Sequence, residues 1–135
     1  MDMEGALRTR LQNASPVAAL LSTFAGSPAV FWVERPQKST LNAITLLNVT
    51  DERTQNYTGF DGMQPGYVQV DAWATTYAQA KALKEAIIAA LTPADTFYGV
   101  RFTRAFVIGR DLSERTETAF IFRPSLDFTF FYSPA

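Results

Sequence analysis

Four charged residues fall inside stretches that otherwise read as strands: Asp71, Arg104, Arg123 and Asp127. Two carboxylates on neighbouring strands can divide the roles of general acid and general base. The same residues have a plainer use. A charge on a strand beside an apolar face needs a partner, so ion pairs within the sheet or between subunits account for all four. The plainer use is preferred because it holds whatever the protein does. The chain has no histidine and no cysteine. That excludes Ser-His-Asp and Cys-His catalysis, thiolate nucleophiles and disulfides, and takes the usual ligands from a zinc site. No phosphate-binding loop and no Gly-x-Gly-x-x-Gly occurs. Asp51, Glu52 and Asp61 share one polar stretch, but their spacing fits no EF-hand, and a solvated loop explains them. No catalytic residue, metal ligand or cofactor is therefore expected, and the chain is expected not to be an enzyme.

The composition narrows the partners. At 135 residues and 15.0 kDa, with 47% hydrophobic residues, the chain is expected to form one domain over residues 1–135 with a sizeable core. A net charge of −1 and a pI near 5.3 argue against affinity drawn from DNA phosphates. No apolar run approaches the roughly 18 residues of a membrane helix. The start, Met-Asp-Met-Glu-Gly, lacks a signal-peptide pattern, so synthesis and use in the cytoplasm are expected.

The elements that position these residues centre on residues 67–91. Tyr67, Gln69, Asp71 and Trp73 alternate with Val68, Val70, Ala72 and Ala74, which predicts a strand. The period then changes. Tyr77, Ala80, Leu83, Ile87 and Leu91 form one stripe of a helix, begun by a capping box at Thr76 and Gln79 and ended by Thr92-Pro93. Upstream, residues 2–12 predict a short helix carrying Leu7 and Leu11. Ser15-Pro16 then caps a second, with Val17, Leu20, Leu21 and Phe24. Residues 29–33 and 41–49 predict strands. Downstream, residues 97–110 read as one long strand with Val100, Phe102, Phe106 and Ile108 on one face, interrupted by Arg104. A return strand runs to Tyr132 with a bulge or kink at Arg123-Pro124-Ser125. The order is α-α-β-β-β-α-β-β: an α+β domain, an antiparallel sheet with the long helix on one face.

Two features bear on binding. The last strand is apolar on both sides, with Leu126, Phe128, Phe130 and Tyr132 opposed by Phe131, and Val107 adds to the second side of its neighbour. The second sheet face is therefore expected to be covered, by the N-terminal helices or by another subunit. Residues 51–66 form a long polar break, which favours a functional loop. Its Asp51, Glu52, Arg53, Gln55, Tyr57, Phe60, Asp61 and Met63 are the candidate partner-binding residues. Trp73 with Tyr67 and Tyr77 could stack on bases or sugars, but core or interface anchoring is the commoner use.

Val68-Gln-Val-Asp-Ala-Trp-Ala-Thr-Thr-Tyr-Ala-Gln-Ala80 resembles a signature of the tail-completion proteins of long-tailed phages, in which such a strand runs through a Thr-Tyr cap into an Ala-rich helix. Arg123-Pro-Ser-Leu-Asp-Phe128 resembles that family's closing strand, although Pro124 departs from the pattern. Met3-Glu-Gly-Ala-Leu-Arg and Pro16-Val-Ala-Ala-Leu resemble its two N-terminal helices, and Trp32 with Arg35-Pro36 the exit from its first strand. The resemblance implies a tail terminator: a non-enzymatic ring, a homohexamer, that caps the tail tube, ends its polymerisation and joins it to the head-side connector. Equivalent proteins serve phages, prophages and gene transfer agents. Its partners would be itself, the tube protein and the connector, with DNA only passing through and no membrane. Its place would be the head-proximal end of the virion tail, assembled in the host cytoplasm. Residues 51–66 would order against the tube or connector. The rival readings are another connector or tube-cap adaptor, and a small ligand-binding or catalytic α+β domain.

Overall fold

The computed structural model describes residues 2–36, 40–50, 55–56, 59–60, 64–115 and 120–134. Helix α1 (Met3–Asn13) starts where the Asp2 carboxylate accepts the Gly5 amide at 2.8 Å, satisfying one of the amides a helix leaves unpaired. Its Met3, Ala6, Leu7 and Leu11 are buried, and so is Arg10. The second helix is shorter than predicted. α2 (Ser15–Ala18) is a single turn, with Ala14 and not Ser15 in the capping position. The chain is instead drawn toward residues 40–42. Ser22 gives its amide to the Asn42 carbonyl at 3.0 Å and its hydroxyl to the carbonyls of Thr40 and Asn42. It then turns through Ala25 and Gly26, both at positive φ, into a small ribbon of Thr23–Phe24 against Ser27–Pro28.

Seven strands build the main sheet: β1 (Val30–Trp32), β2 (Ala43–Thr50), β3 (Gln64–Trp73), β4 (Asp95–Phe97), β5 (Val100–Phe102), β6 (Phe106–Asp111) and β7 (Pro124–Pro134). The spatial order is β1-β2-β3-β7-β5-β4, and β6 pairs β7 beside β5. Every pair is antiparallel except β1 with β2. That parallel pair departs from the predicted sheet: Val30–Trp32 runs in the same direction as Ile44–Leu46. Pro124 opens β7, a position where its missing amide proton does no harm.

The Thr76 hydroxyl accepts the Gln79 amide at 3.2 Å and starts α3 (Tyr77–Leu91). The reciprocal half of the predicted box is absent. The Gln79 side-chain oxygen accepts from Thr75 and Asn42 instead. Ala80, Leu83, Ile87 and Leu91 are buried as a stripe, while Tyr77 is 66% exposed and meets Phe122 edge-on. α1 and α3 lie on the same sheet face, packed with Ile44, Leu46, Val68, Val70, Leu126 and Phe128 into one core.

The single strand predicted over 97–110 is three. Tyr98 and Gly99, at φ 51° and 81°, turn the chain between β4 and β5. At residues 103–105 it leaves the ladder again, and the Ala105 amide bonds the Thr92 carbonyl at 3.0 Å. Val100 and Phe102 are therefore buried, whereas Phe106 and Ile108 are 75% and 74% exposed. Residues predicted on one face lie on two.

Candidate functional site

Cross-strand register defines the face turned away from the helices. Asp71 stands opposite Ser125, Gln69 opposite Asp127 and Tyr67 opposite Thr129. On the far side of β7, Arg110 stands opposite Ser125, Ile108 opposite Asp127 and Phe106 opposite Thr129. Residues paired in register point to one side of a sheet. Neither N-terminal helix reaches this side, so of the two covers expected from sequence the helices are not one.

One half of this face is a polar network, in which the buried Arg123 Nε, Ser125 Oγ and Asp127 Oδ1 have no hydrogen-bond partner among the described residues. Asp127 accepts from Arg110 Nη1 at 2.7 Å and from the Tyr67 hydroxyl at 3.4 Å. Arg110 Nη2 donates to Gln69 Oε1 at 3.2 Å. The Gln69 amide in turn donates to both Asp71 oxygens, at 3.1 and 3.3 Å. Arg123 Nε lies 3.5 Å from Asp71 Oδ2, and its guanidinium covers the Trp73 ring at 4.7 Å. Arg35 stacks on the same ring at 5.0 Å, and Trp73 Nε1 donates to Thr45 Oγ1 at 2.9 Å. Each buried carboxylate thus has its own cation, and Trp73 is engaged by two guanidiniums, so it is not offered as a free stacking surface. Three clefts of the described surface are lined by other residues than Asp71 and Asp127. The arrangement suits an ordered, neutralised face.

The other half is apolar and bare. Phe106, Ile108 and Phe131 are exposed there, while Leu47 and Val49 are exposed on β2, across the polar residues. Among the described residues β6 is also a sheet edge, paired on β7 alone. Such an edge presents unpaired amides and carbonyls ready for another chain.

The predicted charges divide. Asp71 and Asp127 lie in strands and are buried. Arg123 sits just before β7 and is half-buried. Arg104 lies outside any strand, exposed, in the break before β6, and has no ion-pair partner among the described residues. The sequence reading missed Arg110, although its parity with Phe106 and Ile108 marked it for this face. Of the candidate loop, Asp51, Glu52, Arg53, Tyr57, Asp61 and Met63 lie outside the described residues. Gln55 and Phe60 are partners in a two-residue ribbon, Gln55–Asn56 against Gly59–Phe60.

Comparison with known proteins sets this geometry in context. A family model described as tail completion protein gp17 matches residues 5–133. Among solved structures, a chain of the virion of a native gene transfer agent particle is similar with a TM-score of 0.72 at 22% identity, over 97% of this chain and 94% of that one. A second solved chain aligns with a TM-score of 0.50 at 11% identity, over 98% and 93%. Both are likenesses of fold. No curated protein gives a significant match.

Proposed function

Because the chain belongs to the tail completion protein gp17 family, it is a structural protein of a virion tail and not an enzyme, and we propose that it closes the tail tube as a ring. In this reading a homohexamer ends tube polymerisation at the head-proximal end and joins the tube to the head-side connector. The observation that carries it is the bare apolar half of the second sheet face, with Phe106, Ile108 and Phe131 exposed beside the unpaired β6 edge. A monomer working alone has little use for that surface. The charge supports the same reading. A net charge of −1 lets DNA pass through a channel without being gripped. Residues 51–66 are proposed to contact the tube protein or the connector. Deleting 54–62 should leave the fold intact and give unjoined heads and tails under the electron microscope. Normal particles from that deletion would refute the role of the segment. Absence of the chain from purified particles would refute the ring itself.

A further inference from the structure

The cleft that complements the bare edge lies on the opposite side of the same sheet. It measures about 400 Å³ and opens at the strand ends beside the N-terminus of α1, between Asp2 and Glu4 on one rim and Tyr132 and Pro134 on the other. Tyr132 and its register partner Gln64 share the parity of the core residue Phe130, so this cleft is on the helix side. Among the described residues its lining carries two carboxylates and no cation, and the buried Asn48 Oδ1 there has no hydrogen-bond partner. The corner formed by residues 104–108 has the converse character: the unpaired Arg104 cation, then Phe106 and Ile108 standing out from the far face.

We infer that neighbouring copies meet head to tail, the 104–108 corner of one subunit docking in the Asp2/Glu4 cleft of the next. Arg104 finds its carboxylate there and Phe106 enters the part lined by Met3 and Tyr132. Two arguments select a second copy as occupant. Among the described residues, charge is complementary between the two surfaces and within neither. The surfaces also differ and face opposite ways, which makes the contact heterologous, the kind a ring is built from, rather than a two-fold dimer. Aromatic side chains cover 150–250 Å² each, so Phe106 alone offers about 150 Å² to such a contact. The inference rests on the ring reading.

The absence of cysteine makes the test direct. Particles are purified from cells encoding the chain with Glu4→Cys and Arg104→Cys together, then oxidised. The expected result is a disulfide-linked ladder extending past the dimer, with neither single variant cross-linking alone. A dimer from Arg104→Cys alone means a two-fold contact and overturns the inference. So does a double variant present in particles but without the ladder, and in that case the tail role stands. Failure of the unsubstituted chain to appear in particles removes the ring reading and the inference with it. A charge exchange guards against a disulfide formed by chance. Glu4→Arg or Arg104→Glu should each lower particle yield about tenfold or more, and the two together should restore it. Both residues are exposed and outside the core, so loss of fold does not explain a loss that the exchange repairs.

Discussion

Replacing Gly66 by alanine tests how tightly the far end of the sheet is packed. Gly66 is the register partner of Phe130, and the ring lies over it. A Cβ at Gly66 would sit 2.6 Å from Phe130 Cε2 and 2.7 Å from Cζ. Carbon atoms pack comfortably at about 3.5–4.0 Å, so the ring must retreat by roughly 1 Å. It has nowhere to go. Phe130 is 5% exposed, edge-on to Phe102 at 5.6 Å and against Tyr132 at 6.1 Å. Overpacking of this kind costs about 1–3 kcal/mol. Alanine offsets roughly 0.5–1 kcal/mol of that, because glycine in a strand interior is entropically costly. The centres of the two ranges leave a destabilisation of about 1 kcal/mol, or a Tm lower by about 3–5 °C for a chain of this size. Thermal and urea unfolding followed by circular dichroism measure it. Phe130→Leu in the same background should relieve the clash, so the combined loss falls short of the sum of the single losses by about 1 kcal/mol. Wild-type stability for Gly66→Ala, or strict additivity in the cycle, would refute the reasoning.

Three further outcomes follow from the same geometry. Phe128→Ala, at the centre of the core and 1% exposed, should cost about 3–5 kcal/mol in urea unfolding; under 1 kcal/mol would mean that the core is wrongly placed. Arg110→Met leaves the Asp127 carboxylate buried without its cation. The loss should be about 1–2 kcal/mol, modest because Arg110 is itself half-exposed, and Asp127→Asn in addition should recover part of it. The Ser113 hydroxyl and amide both donate to Asp111, first the hydroxyl and then the amide holding its carboxyl below the ordinary range. A depressed folded-state value contributes stability that is present above the unfolded value and lost as pH falls through the folded one. Ser113→Ala should therefore move the Asp111 titration up toward the ordinary carboxylate range by NMR, and an unmoved titration would contradict the assigned cause.

The legible parts of the sequence were those with a local cause. The change of period at Thr76 placed α3 correctly from Tyr77 to Leu91, because the cap and the stripe agree. The stripe also claimed Tyr77, wrongly: in the first turn a residue of the right phase can still lie past the edge of the sheet, and here it meets Phe122. The break at residues 103–105 was not legible. Thr-Arg-Ala carries no turn chemistry, and the cause is a distant one, the Thr92 carbonyl taking the Ala105 amide. Missing the break left Phe106 and Ile108 on one face with Val100 and Phe102, whereas they stand on the surface. It thereby hid the most exposed apolar pair of the candidate site. Asp71 and Asp127 were recognisable as charges in need of partners, but the partners themselves depend on register. Arg110 reaches Asp127 only because β6 pairs β7 with Ile108 opposite Asp127.

That register also decides what the open face can recognise. Had Arg110 and Arg123 been free, the face would present two guanidiniums and phosphate would be its natural ligand. Instead Arg110 is held by Asp127 and Gln69, and Arg123 lies between Asp71 and the Trp73 ring. Their charge is cancelled locally, and moving either toward a phosphate would strand a buried carboxylate, which is costly. DNA therefore gains little from this half of the face. What remains open is the apolar half and the β6 edge, and both suit a protein partner: side chains that would bury Phe106 and Ile108, and a backbone or cleft that would receive the edge. The separation of a spent polar half from an unspent apolar half is what a subunit needs if it is to hold its neighbours while leaving nucleic acid free to move.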